Sequence, residues 1–309
     1  MKATSSKPKA QVLRRAQVPP LLTLFLFSCS TPIDEVAGGG SARPAVLSLS
    51  SAAGPPRTGE PEDSANAARW QVTMSANFRL FHLHIGSSLA GRMLQAAEED
   101  RTEQLRLWDG PSVSTSWSPK CAIYLYPSNT TLVQMTGRQR KAGSAVNRPS
   151  VLSPGGMIDR RINVAADDAN ILRCTLPHEI AHIILADKLG GRKAPLWSDE
   201  GLAVLAEHRS CQRHGMAHLA QHLAHGQLYP VMVLMQMKQY PADELKFLYY
   251  AQSASLTRFF LEQGPRRQFV QFLRLAQPGA IESALRQVYL IDGFSDLEQR
   301  WRIFVQAHA

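Results

Sequence analysis

The sequence predicts an α+β fold, with a small N-terminal β-sheet carrying one helix, followed by a mainly α-helical region. Two observations carry this prediction. Runs rich in aromatic and aliphatic residues at strand length occur only up to about residue 165, and helical periodicity runs from Asn170 to the C-terminus, broken only at glycine and proline. Strands first and helices afterwards is the α+β pattern rather than a chain of alternating βαβ units.

Taken in order, Trp70 to Ile85 closes with Phe78, Leu80, Phe81, Leu83 and Ile85, which predicts a strand or a bent pair of strands stopped at Gly86. Ser87 to Trp108 spaces Leu89, Met93, Ala97 and Leu105 around a charged middle and predicts an amphipathic helix. Lys120 to Tyr126 reads as a strand ended by Pro127. Residues 136–156, with Gly137, Gly143, Pro149 and Pro154-Gly155-Gly156, read as a loop, and Arg160 to Ala165 as a second short strand. Beyond Asn170, helices are expected between breaks at Gly190-Gly191, Gly215, Pro230, Pro241 and Gly264-Pro265.

The chain has 309 residues and a formal charge of +9, with 44% hydrophobic and 19% charged residues, which is ordinary for a globular protein. Five of the basic residues (Lys2, Lys7, Lys9, Arg14 and Arg15) fall in the first 20 positions, where there is no acid. A short apolar run follows, Leu21 to Phe27, and ends at Ser28-Cys29-Ser30. A basic region, a short apolar region and a small residue at the cut make an export signal over residues 1–29. The apolar run is too short for a membrane span, which needs about 20 residues. Leu26-Phe27-Ser28-Cys29 resembles a bacterial lipobox, so a lipid anchor at Cys29 is expected; the alternative is simple cleavage to a secreted or periplasmic soluble protein.

Removing that segment takes away five bases and no acid, and the excess falls from +9 to +4. No block of like charge remains, so no nucleic-acid partner is expected. Residues 30–68, rich in Gly, Ala, Ser and Pro, read as a flexible linker, and the folded domain as 69–309. Three cysteines follow Cys29, namely Cys121, Cys174 and Cys211, and each reads as a small packed residue. Their number allows at most one internal bridge, and the spacing leaves the pairing open.

His178-Glu179-Ile180-Ala181-His182 is H-E-x-x-H. Residues four apart share a helix face, so both imidazoles can take one metal ion, and Glu179 beside them can activate a metal-held water and carry its proton to a leaving amine. Ile180, Ile183, Ile184 and Leu185 would bury this helix, and Gly190-Gly191 would end it. Pro177 is either its first-turn residue or a kink in a longer helix. In the following segment, Pro195 to Leu205, Ser198 reads as the N-cap of a returning helix with Glu200 in its first turn. A helix, a tight turn and a second helix bring that carboxylate back, so that two imidazoles, one carboxylate and an open position make a catalytic zinc site. Asp199 is either a rival ligand or an acceptor for an imidazole N–H.

H-E-x-x-H followed by Trp197-Ser-Asp-Glu200-Gly201-Leu-Ala203 resembles the gluzincin metallopeptidases, specifically the small peptidase-MA-like domains of bacterial envelope proteins. Ala76-Asn77-Phe78-Arg79, Ile123 to Pro127 and Tyr250 to Leu256 are also similar to that family, so the resemblance covers about residues 70–265. It implies a thermolysin-like zinc subdomain with one Zn2+ per chain on His178, His182 and Glu200, Glu179 as general base, and Tyr250 donating to the oxyanion. It further implies a zinc-dependent peptide-bond hydrolase of the cell envelope acting on a peptide or protein substrate; the alternative is a non-catalytic envelope binding module with a structural zinc. The aminopeptidase signature is absent, since Gly155-Gly156-Met157-Ile158-Asp159 only echoes it, and Arg160 to Ala165 is a candidate edge strand for an extended substrate. The oligomeric state is not indicated.

Other features read as packing or surface. His208, His214, His218, His222 and His225 form a solvated helix face, the Met232, Met235 and Met237 cluster is packing, and Phe259-Phe260-Leu261 with Trp301 to Val305 belong to the core.

Overall fold

The computed structural model describes residues 48–49, 70–83, 86–110, 116–136, 160–216 and 218–308. The export segment, nearly all of the linker, the loop from 137 and the echo at 155–159 lie outside the described residues, as does the side chain of His214. Five strands form one sheet: β1 (Ser48–Leu49), β2 (Gln71–Met74), β3 (Phe78–His82), β4 (Cys121–Tyr126) and β5 (Arg161–Ala165), in that spatial order. The bent pair expected from Trp70 is the antiparallel hairpin β2–β3, with Thr73 opposite Leu80. Along β3, Phe78, Leu80 and His82 turn inward and Arg79 outward, the alternation of a strand with one buried face.

β3, β4 and β5 pair in parallel. The expected absence of βαβ units is therefore corrected within the sheet, because parallel neighbours need a crossover. Helix α1 (Ser87–Asp109) makes the first, and the chain from β4 to β5, including α2 (Asn129–Thr136), makes the second. The α+β class still fits the described residues, since every element beyond β5 is a helix.

A polar knot fixes the hairpin to α1. Glu98 accepts hydrogen bonds from Ser75 Oγ (2.6 Å), the Asn77 backbone N–H (2.6 Å) and Asn77 Nδ2 (2.7 Å). Asn77 Oδ1 in turn accepts from the Trp117 backbone N–H at 2.8 Å. Asn77 is buried, so truncating it strands several polar groups at once. Asn77→Ala is expected to lower the urea midpoint by the equivalent of about 3 kcal/mol with an unchanged slope. A shift below about 0.5 kcal/mol, the range of ordinary surface changes, would show that the knot does not hold the hairpin.

Eight α-helices follow a short π-helical turn at Ile171–Thr175: α3 (Leu176–Lys188), α4 (Leu196–Ala206), α5 (Arg209–Met216), α6 (Leu219–Ala224), α7 (Val231–Gln236), α8 (Asp243–Glu262), α9 (Arg266–Leu275) and α10 (Ile281–Tyr289), with α11 (Gly293–Ala307) closing the chain as a ninth. The expected breaks at Gly190-Gly191, Pro230, Pro241 and Gly264-Pro265 all fall between helices, while Gly215 lies inside α5. None of the described helices is long and apolar enough to cross a membrane.

Helix α3 is the wall shared by two cores. Ile180, Ile183 and Ile184 pack with the sheet and α1, whereas Leu185 and Leu189 join Trp197, Phe260, Phe269 and Trp301 in the helical core. A helix flanked on both sides must be apolar nearly all round, which explains its composition. The core readings of Phe259, Phe260, Trp301 and Val305 hold. The methionine cluster divides, with Met235 buried, Met237 packed at the core edge and Met232 on the surface.

Candidate metal centre

The path into α3 is set by Pro177. Proline has no N–H to give to the carbonyl four residues back, and its ring crowds that carbonyl. The chain widens into the π turn just before it, where the Thr175 N–H reaches the Asn170 carbonyl at 3.4 Å. Both readings of Pro177 thus hold in part, because it lies in the first turn of α3 and the helical path also continues upstream. The Arg173 carbonyl orphaned by Pro177 accepts instead from the His208 N–H at 2.9 Å. That bond ties the segment after α4 to the start of the motif helix.

A disulfide reinforces the tie. Cys174 is bonded to Cys211 across 37 positions, with Cα atoms 6.1 Å apart. The packing reading of these two cysteines is thereby corrected: Cys174 lies on the π turn and Cys211 on α5, which packs against α8. Cys121 stands buried in β4, outside this bridge.

The far end of α3 is closed by the Gly191 N–H on the Ala186 carbonyl at 2.8 Å, with φ of +66° at Gly190 and +76° at Gly191. Only glycine takes two successive left-handed positions without steric cost. The chain then turns directly into α4. Helix α4 begins at Leu196, three residues earlier than expected, with Pro195 as its N-cap. Ser198 is therefore inside the first turn rather than the N-cap; its hydroxyl donates back to the Pro195 carbonyl at 2.8 Å, because Pro195 is held extended and leaves that carbonyl within reach.

Helix α4 approaches α8 so closely that a Cβ built on Gly201 would lie 2.2 Å from Thr257 Oγ1 and 2.4 Å from the Ser253 carbonyl oxygen. Glycine at 201 allows α4 to seat Glu200 against α3.

Here the expected ligands meet. One donor atom from each of His178, His182 and Glu200 lies within 4.8 Å of the others, the one such group among the described residues. Glu200 Oε2 is 3.4 Å from His178 Nε2 and 3.8 Å from His182 Nε2. The outer imidazole nitrogens are held by carboxylates, His178 Nδ1 by Glu207 Oε1 at 2.8 Å and His182 Nδ1 by Asp199 Oδ1 at 2.8 Å. Of the two readings of Asp199, the structure supports the acceptor and not the rival ligand. Once the rings lose their extra proton, each such bond keeps the remaining N–H on Nδ1 and frees Nε2 for the centre.

Glu179 is only 3% exposed, which argues against a solvated helix-surface residue. Its charge acts on His178. Burial alone would lower the His178 pKa, yet hydrogen bonds to Glu200 and Glu207 and the charge of Glu179 raise it well above the usual imidazole value. His182 is pushed up to about 9 by Asp199 and Glu200, against the opposing effect of burial. Glu200 falls to about 2: burial would raise it, but the two imidazoles and Tyr240 prevail. Four carboxylates thus crowd two imidazoles, an electrostatic demand for a cation that protons on the rings meet in part. The donor set of two nitrogens and one carboxylate oxygen suits a divalent metal with a position left open.

Two residues of this site were not singled out from the sequence. Glu207 lies seven positions after Glu200, at the C-cap of α4, and that spacing could have marked it. Tyr240 donates its phenolic proton to Glu200 Oε1. Burial raises its pKa first, with the Glu200 charge adding to that, so the phenol keeps its proton. Tyr250 packs beside it, with ring centroids 6.4 Å apart, and fully buried Tyr249 is 6.1 Å from the Tyr240 ring. Tyr240 lies in the loop before α8, and Tyr250, the expected oxyanion donor, stands on α8.

Among the described residues, no other histidine joins this centre: His208 bonds Ser210 Oγ, and His222 bonds Gln227. Strand β5 ends the sheet among the described strands and lies against α3. Arg160, just before it, is clamped to Asp187 of α3 by two hydrogen bonds of 3.1 Å.

The profile of the peptidase MA superfamily matches residues 154–307. No curated protein matches the chain. The match starts after β4, and it continues through α9, α10 and α11, beyond the stretch whose motifs resembled gluzincins.

Proposed function

Residues 154–307 form a peptidase MA superfamily domain, and on that premise we propose that the protein is a zinc-dependent peptide-bond hydrolase of gluzincin type. The observation that carries the proposal is the convergence of His178, His182 and Glu200, with both imidazoles oriented from behind by carboxylates. Zinc, when bound, supplies a Lewis acid that polarises a carbonyl and lowers the pKa of water.

His178, His182 and Glu200 hold the ion. Asp199 and Glu207 keep the imidazoles neutral at Nε2 and fixed in rotation. Glu179, buried next to His178, takes the proton of the attacking water and passes it to the amine that leaves. Tyr250, which packs beside Tyr240, is the phenol we assign to a developing oxyanion. β5 offers its outer edge for main-chain pairing with an extended peptide.

We place the mature protein outside the cytoplasm, lipid-anchored at Cys29 or released after cleavage. The Cys174–Cys211 bridge supports an oxidising compartment, where such bonds persist.

Metal analysis of the purified protein with a peptide-library digest tests the proposal. One zinc per chain and cleavage abolished by chelator and restored by zinc are expected. No stoichiometric zinc in folded protein would defeat the reading, and zinc without cleavage of any peptide would favour the envelope binding module.

A further inference from the structure

The two oxygens of Glu200 face different partners. Oε2 looks at both inward imidazole nitrogens, at 3.4 and 3.8 Å, while Oε1 accepts the Tyr240 phenol. A carboxylate with both oxygens unengaged can meet a divalent ion through one or both of them. With both, it fills a coordination position that a hydrolytic site needs for water or a substrate carbonyl.

We propose that Tyr240 is a positioning residue that reserves Oε1 of Glu200, so that the carboxylate meets the ion through Oε2 alone. The inference rests on the metal reading of this site. The phenol is suited to the task by its surroundings. Pro241 follows directly, and the residue before a proline is confined to extended backbone, which restricts how Tyr240 enters the site. Its ring lies near Tyr249 at 83° and near Tyr250 at 48°, so neighbouring rings limit its swing. Tyr240 is still 39% exposed, which leaves one side of the ring toward solvent and an incoming chain.

Tyr240→Phe removes one oxygen and retains the ring packing, so folding is expected to persist and is checked by circular dichroism. Metal-free full-length protein is loaded with one equivalent of Co2+, and its visible d–d band is compared between wild type and Tyr240→Phe. Four-coordinate Co2+ absorbs strongly and higher coordination weakly. The variant is expected to lose band intensity as Glu200 swings to bind through both oxygens. Zinc X-ray absorption is expected to show one more oxygen in the variant, and zinc affinity to fall about tenfold, as for other groups that orient metal ligands. A band and an oxygen count identical to wild type would overturn the role of Tyr240 while leaving the metal site standing. Failure of the wild type to take up Co2+ or zinc would defeat the metal reading and this inference with it.

Discussion

Gly201→Ala is expected to lower the melting temperature by roughly 10 °C and to weaken metal binding together with it. The added Cβ would sit 2.2 Å from Thr257 Oγ1 and 2.4 Å from the Ser253 carbonyl oxygen, and the second of these is helix backbone that cannot rotate away. Alanine favours a helix interior over glycine by about 1 kcal/mol, so on propensity alone the variant would gain stability. Overpacking of this kind costs about 1–3 kcal/mol and occasionally more, and the clash here is severe enough to reverse the sign. A net loss of about 3 kcal/mol corresponds to about 6–12 °C in a domain of this size. Relief requires α4 to move away from α8, and Glu200 is the residue next to Gly201, so the third ligand moves with it. Thermal melts with and without zinc measure both effects; a melting point within a degree of wild type would mean that the two helices do not approach as described.

Glu179→Gln is expected to retain zinc and stability and to reduce peptide cleavage by about 10²–10⁴-fold, the share that a positioned base contributes. Glutamine has nearly the same shape and keeps an oxygen in the buried site, but it cannot accept and return a proton. The ligand set does not include residue 179, so the metal count should stay at one. Losing the Glu179 charge also removes one influence that raises the His178 pKa, which makes that ring easier to deprotonate for metal binding. Zinc content and single-turnover digestion of a cleaved library peptide separate the outcomes. Cleavage at the wild-type rate would remove Glu179 from the chemistry, and loss of zinc would show that its role is structural.

Much of the site could be read from spacing because helix geometry translates spacing into direction. His178 and His182 four apart, with Glu200 on the next helix, needed only α3, a glycine turn and α4 to converge. Tyr240 is different in kind: it reaches Glu200 from a loop 40 positions away, and no periodicity connects the two. The disulfide was illegible for a similar reason, since three cysteines permit three pairings and only the placement of α5 in the fold selects one. In the sheet, β2 to β5 were visible by composition, while β1 falls in the stretch read as linker; the parallel pairing was not visible, because a strand carries no local mark of its partner's direction. Helix α2 was missed outright. Its sequence, Asn-Thr-Thr-Leu-Val-Gln-Met-Thr, is poor in strong helix formers, and its start is held by neighbours, with the Asp167 carboxylate on the Asn129 N–H at 3.0 Å and Ser128 Oγ on the Thr131 N–H at 3.1 Å. Ser198 misled in the opposite sense, since a residue of the favoured capping type sits beside a proline that starts the helix earlier.

The bridge between Cys174 and Cys211 also bears on which donor atoms the centre can present. In the reduced chain, Cys174 stands four residues before His178, and its sulfur is a softer and tighter zinc donor than a carboxylate. In the oxidised chain both sulfurs are held in the bridge, so neither is offered to a cation at the neighbouring imidazoles, and the carboxylate of Glu200 has no thiolate rival from this pair.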